Sequence, residues 1–304
     1  MSHTVQGLVP ILATPFLPDG SLDRRSLRRL VEFQLGAGAD GVAVFGMASE
    51  GFALTSAERR TILADVTDVT GGRLPVVAGV NGTSTVTALE QARQAADDGA
   101  DALMVLPPFM VKPGPDQLLD FYGTLGGVGR EVMVQDAPGA TGVTMSPQLV
   151  VELSKLPGVT SVKIESPPTV PKVGSVLAAL GALGEEEEFA VLGGMNAQFV
   201  LDEYARGALG TMPACEFTDL LAPVLTLWNA GRTAEARESF ARLLPLIVHG
   251  LQQGIAWAVH KEVLARRGII DHTAVRSPAR PLDAASAALL EEILAPLPIA
   301  VRKP

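Results

Sequence analysis

At 304 residues the chain can form two ordinary domains or one barrel-type domain with an appendage. Its 24 basic and 33 acidic residues leave a net charge of −9, which argues against nucleic acid or an anionic membrane surface as a partner. One cysteine, Cys215, rules out a disulfide framework and a thiolate metal cage, and four scattered histidines (His3, His249, His260, His272) give poor support for a zinc site.

The N-terminus lacks a basic segment followed by an apolar one, and no run of about 18 residues stays apolar. The expectation is a soluble cytoplasmic protein with no membrane partner. Short β-type runs recur about every 30 residues, each followed by a longer helical pattern. In chain order they cover residues 7–13, 41–46, 75–80, 101–106, 131–136, 159–165, 189–193 and 209–212. Most are solidly hydrophobic, as parallel strands covered on both faces should be. Helix starts are marked between them by Ser21-Leu22-Asp23, Thr55-Ser56-Ala57-Glu58, Gly82-Thr83-Ser84 and Ser146-Pro147. Eight such units predict an α/β fold of the (β/α)8 TIM-barrel type. A doubly wound sheet is the alternative, weakened by the absence of G-x-G-x-x-G after the first strand. The Glu185–Glu188 run reads as a solvated loop before the seventh strand. Beyond Met212 no strand follows. Residues 216–230, 233–251, 252–267 and 283–294 read as helices, the first closing a barrel of residues 1–230 and the rest forming a helical region of residues 231–304.

The sixth strand carries the most informative residue. Lys163 lies near the end of a short β-branched run bounded by Pro157-Gly158 and Pro167-Pro168. An ammonium rarely goes inside unless something pairs with it or uses it. Side chains alternate, so Val159, Ser161, Lys163 and Glu165 share one face, while Val162 and Ile164 suit the helix-facing one. The lysine is therefore expected to point into the barrel, at the end where barrel enzymes place reactive groups. One reading is an ion pair with Glu165. The other is an amine, kept neutral by desolvation, that forms a Schiff base with a carbonyl substrate.

Five strand ends carry a resemblance: Thr14-Pro15-Phe16, Gly46-Met47-Ala48-Ser49-Glu50, Gln135-Asp136-Ala137-Pro138-Gly139-Ala140-Thr141-Gly142, Val162-Lys163-Ile164-Glu165 and Gly193-Gly194-Met195. In order and spacing they resemble the dihydrodipicolinate synthase / N-acetylneuraminate lyase family, over nearly the whole chain. The resemblance implies a lyase of the metal-independent class I aldolase type, without a cofactor, that binds pyruvate or another small 2-oxo acid on Lys163. It implies a homo-oligomer, a tetramer of two tight dimers. It also implies a substrate-binding set of Thr14, Ala48, Ser49, Glu50, Asp136, Gly193 and Gly194. The loop at 46–50 would hold a carboxylate through backbone N–H groups and a hydroxyl, which only Ser49 can offer. Ser49-Glu50 can also be read as a simple turn pair.

The departures point away from the namesake reaction. Met47 and Ala48 stand where the synthases carry two threonines, Gln135 where they carry a tyrosine, and Ala140 where they carry an arginine. Pro107-Pro108-Phe109-Met110 offers no phenol to a neighbouring subunit. A hydroxyl relay cannot be built from methionine, alanine and glutamine. The chain looks closer to the 2-keto-3-deoxy sugar acid dehydratase and aldolase branch, with Lys163, Glu165 and Gln135 as the catalytic set. Glu165 is the first candidate to move protons, ahead of Glu50, Asp136 or a water held by Gln135; it could equally be a structural ion pair. Three other readings stay open: 4-hydroxy-tetrahydrodipicolinate synthase, a non-catalytic 2-oxo acid binding protein, and a phosphate-binding barrel using Gly193-Gly194 and the glycines at 207–210.

Overall fold

The computed structural model describes residues 4–184 and 188–299. His3, most of the Glu185–Glu188 run and the last five residues of the C-terminal region lie outside the described residues. The barrel order is β1 (Gly7–Leu8), α1 (Arg24–Ala37), β2 (Val42–Val44), α2 (Ser56–Thr70), β3 (Val76–Val80), α3 (Thr85–Asp97), β4 (Ala102–Val105), α4 (Pro115–Gly126) and β5 (Glu131–Asp136). It continues through α5 (Pro138–Thr141), α6 (Pro147–Ser154), β6 (Val159–Ile164), α7 (Thr169–Gly181), β7 (Ala190–Gly193), α8 (Val200–Ala205) and β8 (Gly210–Thr211). Then come α9 (Thr218–Asn229), α10 (Thr233–His249), α11 (Ala256–Arg266) and α12 (Ala284–Leu294).

All neighbouring strands pair in parallel, from β2 round to β8 and on to β1. The first strand is shorter than its apolar run because Pro10 has no N–H to continue a ladder. Ile11 nevertheless bridges both Ala43 and Ala214, and so closes the ring. The helices begin where the expected caps sit. Asp23 accepts from the Ser26 N–H, Thr55 and Glu58 form a capping box, and Ser146 caps α6 ahead of Pro147. Helix α11 starts later than its pattern, since Gly254 adopts φ +88° just before it.

Two apolar layers follow from strand alternation. Ile11, Ala43, Val77, Met104, Met133 and Leu192 fill the barrel interior. Val44, Leu103, Val134, Val162 and Ile164 pack outward against the helices. Val159 joins the outer layer rather than the inner one. The β5–β6 register slips between Val132 and Met133, which pair with Val159 and Ser161, leaving Thr160 as an extra residue that reverses the alternation before it. The core of α9 runs on without a break into α10, α11 and α12, around Leu221, Phe240, Leu246, Val263 and Leu290. Among the described residues no helix is long and apolar enough to cross a membrane.

Candidate active site

A cavity of about 940 Å³ opens at the C-terminal ends of the strands. Lys163 and Gln135 are cross-strand partners on β6 and β5, both almost fully buried, and both in its wall. Glu165, one residue past β6, joins them. Its Oε1 lies 3.2 Å from Lys163 Nζ, and its Oε2 accepts a 2.7 Å hydrogen bond from Gln135 Nε2. The Met195 N–H adds a 3.4 Å bond to Oε1. One carboxylate thus gathers an amine, an amide and a backbone donor on the cavity wall.

The Met195 contact rests on an unusual turn. Met195, Asn196 and Ala197 all have positive φ, 47°, 54° and 60°, each costing an L-residue on the order of 1–2 kcal/mol. The Asn196 side chain holds the turn by donating to the Ile247 carbonyl and accepting from the Ala214 N–H. Left-handed backbone kept at this expense beside a buried ion pair is the pattern of a functional site.

Ala48 lines the cavity with Gly46 and Met47. Met47–Ser49 forms a single 3₁₀ turn whose bonds run from the Ser49 and Glu50 N–H groups, leaving those of Met47 and Ala48 unused by it. Gly51 and Gly79 let this loop close, because a Cβ at either would lie 2.2 or 2.5 Å from the Phe45 carbonyl oxygen.

Six of the expected substrate-binding residues are not in the cavity wall. Ser49 is buried under the loop, its hydroxyl without a hydrogen-bond partner. Thr14 props the same loop by donating to the Ser49 carbonyl at 2.6 Å. Glu50, in left-handed conformation at φ 54°, turns away to pair with Lys261 and to accept from the Arg276 N–H. Asp136 follows Gln135, so alternation sends it outward to an ion pair with Lys172 at 2.5 Å. Burial still raises its carboxyl above the ordinary value, against the pull of Lys172. Gly193 and Gly194 are packing positions: a Cβ would strike the Glu203 carboxylate in one case and the Glu165 side chain in the other. The space a Cβ would take at these two glycines is filled by glutamate side chains.

Glu203, on α8, yields a pH prediction. Its carboxyl is buried, and that burial, with Glu165 and Asp202 adding to it and the Thr169 hydroxyl offsetting part, pushes its pKa up to about 7. From pH 4.5 to 7 the folded protein holds a proton that the unfolded chain has released, so stability falls as pH rises across that window. At roughly 1.4 kcal/mol per unit the loss is about 3 kcal/mol. Denaturant unfolding of Glu203→Gln and wild type should therefore show the variant gaining about that much, relative to wild type, between pH 4.5 and 8. A difference that stays constant with pH would show that Glu203 is ionised in the fold.

Sequence reasoning missed residues brought in by helices. Trp257 of α11 covers the mouth, its Nε1 donating to the Met47 carbonyl and its ring edge-on to Phe52. Arg59 of α2 lies over the Phe45 ring and donates to the Gly79 carbonyl. Burial lowers its pKa to about 10, and it has no carboxylate partner among the described residues. His260 of α11 also reaches the wall, its Nδ1 2.7 Å from Glu216 Oε1. No local periodicity marks these three. Met110, in contrast, is 75 % exposed, and Phe109 takes the place in the wall.

Comparison with known proteins shows the family. The family model described as the dihydrodipicolinate synthetase family matches residues 4–296. The chain belongs to that family. It is 30% identical over 278 residues to the L-2-keto-3-deoxyarabonate dehydratase of Azospirillum brasilense, covering 90% of this chain and 88% of that one. It is 38% identical over 193 residues, 63% of each chain, to the 4-hydroxy-tetrahydrodipicolinate synthase of Stenotrophomonas maltophilia strain R551-3. The crystal structure of the Rhodopseudomonas palustris dihydrodipicolinate synthase superposes with a TM-score of 0.90 at 27% identity, covering 97% of this chain and 98% of that one. This member of the family is a lyase with the expected barrel fold.

Proposed function

We infer that this protein forms an imine between Lys163 and a 2-oxo acid and through it dehydrates a 2-keto-3-deoxy sugar acid. The observation that carries the reading is the buried Lys163–Glu165–Gln135 group in a cavity with no other carboxylate in its wall among the described residues. An amine must shed a proton before it attacks a carbonyl, and Glu165 stands close enough to take it. The resulting iminium draws electrons from the neighbouring carbon, and the same carboxylate can then remove a proton from C3. Gln135 keeps one carboxylate oxygen occupied, so that the other faces the amine. The free N–H groups of Met47 and Ala48 suit the substrate carboxylate, and Arg59 makes the cavity favourable to an acid.

The sugar-acid substrate is supported by the dehydratase relative and by the side chains that replace a hydroxyl relay. Met47, Ala48 and Gln135 carry no titratable hydroxyl, and exposed Met110 reaches no reacting centre in this chain. Condensation of pyruvate with aspartate semialdehyde, the second reading, needs the proton transfers that such a relay supplies, typically 10²–10⁴-fold in rate. A panel of 2-keto-3-deoxy sugar acids, followed by consumption of substrate, should therefore give turnover well above that of the condensation. Glu165→Gln should still trap the imine, though more slowly, while losing at least tenfold in turnover, about 1.4 kcal/mol of barrier. Robust condensation, with no dehydration or cleavage of any sugar acid, would reverse the assignment.

A further inference from the structure

We propose that Glu216 and His260 form a carboxylate–imidazole pair that acts as the second proton carrier of the reaction, with His260 delivering a proton to the departing hydroxyl. The proposal rests on the Lys163 imine reading above and adds the acid which that reading lacks.

The geometry of the pair supports it. Glu216 directly follows the only cysteine on the segment after β8, and is wholly buried with Oε2 lacking a hydrogen-bond partner. Burying a carboxylate half satisfied is costly unless its one partner has a use for it. That partner is His260 Nδ1, at 2.7 Å, so the ring donates its Nδ1–H to the carboxylate and leaves Nε2 free to exchange a proton. The ring is 4 % exposed yet stands in the wall of the cavity that holds Lys163 and Glu165. The chain also leaves room beside it. Gly250 packs against the ring, and a Cβ there would lie 3.0 Å from His260 Cε1 and 3.2 Å from Asn196 Nδ2. Other charges nearby are already engaged. Lys261, next in sequence, pairs with Glu50, while Arg267 binds the Glu216 carbonyl and Asp219. Cys215, whose pKa burial pushes up, adds no charge. On the α10 side His249 contacts Gln252.

The steps balance. Glu165 takes a proton from C3 of the iminium, and that C–H pair becomes the C2–C3 double bond of an enamine. The enamine nitrogen then returns its pair, the C3–C4 double bond forms, and the C4–O bond breaks. The oxygen leaves with that pair and takes the proton of the His260 imidazolium, departing as water. Glu165 has gained one proton and His260 has lost one, and solvent restores both before the product imine is hydrolysed.

The test compares His260→Gln, Glu216→Gln and His260→Ala with wild type, reading turnover against pH together with borohydride trapping of the pyruvate imine. His260→Gln should keep trapping, lose about 10²-fold or more in kcat, and lose the alkaline limb of the kcat profile. Glu216→Gln should keep trapping and lower kcat, because the ring loses the acceptor that orients it. Imidazole added to His260→Ala should restore part of the turnover. A His260→Gln protein that traps normally and keeps the wild-type rate and profile would overturn the proposal. Trapping and turnover that fall in proportion in all three variants, without imidazole rescue, would also overturn it, by making the pair structural. Failure of wild type itself to trap pyruvate would instead strike the Lys163 reading.

Discussion

Incubating the protein with pyruvate and borohydride should add one pyruvyl group, mapped to Lys163, and Lys163→Ala should take up none. Of the lysines described, only Lys163 lines the cavity. Lys261 is buried against Glu50 under the Phe16 ring, and Lys172 is paired with Asp136 on the outer side of the barrel. Burial pushes the Lys261 pKa down to about 8, the direction that favours an amine nucleophile. Access decides between it and Lys163, since Lys261 is fully buried outside the cavity wall. Losing the covalent step should reduce turnover on the sugar acid by about 10⁴-fold or more, on the order of 5 kcal/mol of barrier. An adduct mapped to Lys172 or Lys261 would displace Lys163 from the mechanism. No adduct with any 2-oxo acid from neutral to alkaline pH would remove the imine from the mechanism.

The barrel and its central lysine were legible because both depend on short-range rules. Solid apolar runs at a regular interval dictate parallel strands, and the alternation of Val162, Lys163 and Ile164 fixes which way the amine points. The same rule misplaces Val159, because a one-residue slip opposite Met133 has no signature in the residues themselves. Alternation could have warned that Asp136 leaves the wall when Gln135 enters it. The missing part of the site lies in contacts of long sequence separation. Trp257 meets Met47 and His260 meets Glu216 only after α10 and α11 fold back over the barrel, so no local pattern could announce them. Gly194 was visible as a glycine, but its reason, space for the Glu165 side chain, exists only in three dimensions.

Glu50 shows the same lesson energetically, and Lys261→Met should measure it. The pair is fully buried on both sides, with the Lys261 ammonium also donating to the Ala274 carbonyl and lying 4.2 Å from the Phe16 ring centre. Removing the cation strands a carboxylate in the interior, which typically costs 3–5 kcal/mol, of the same order as the whole stability of many domains. Denaturant unfolding should show that loss for Lys261→Met, and the double variant Glu50→Gln with Lys261→Met should recover much of it, since a neutral amide no longer needs a counter-charge. The consequence reaches the cavity through the backbone. Glu50 is the left-handed end of the turn that presents the Met47 and Ala48 N–H groups, and its carboxylate ties that turn to Arg276 as well. At a temperature where the variant stays folded, KM for the acidic substrate should rise while trapping at Lys163 persists. A variant as stable as wild type would mean that the Glu50–Lys261 pair adds nothing to the stability of the fold. A variant of lowered stability with unchanged KM would separate the buried pair from the position of this turn, leaving Trp257 at the Met47 carbonyl and Thr14 at the Ser49 carbonyl as the contacts that hold it.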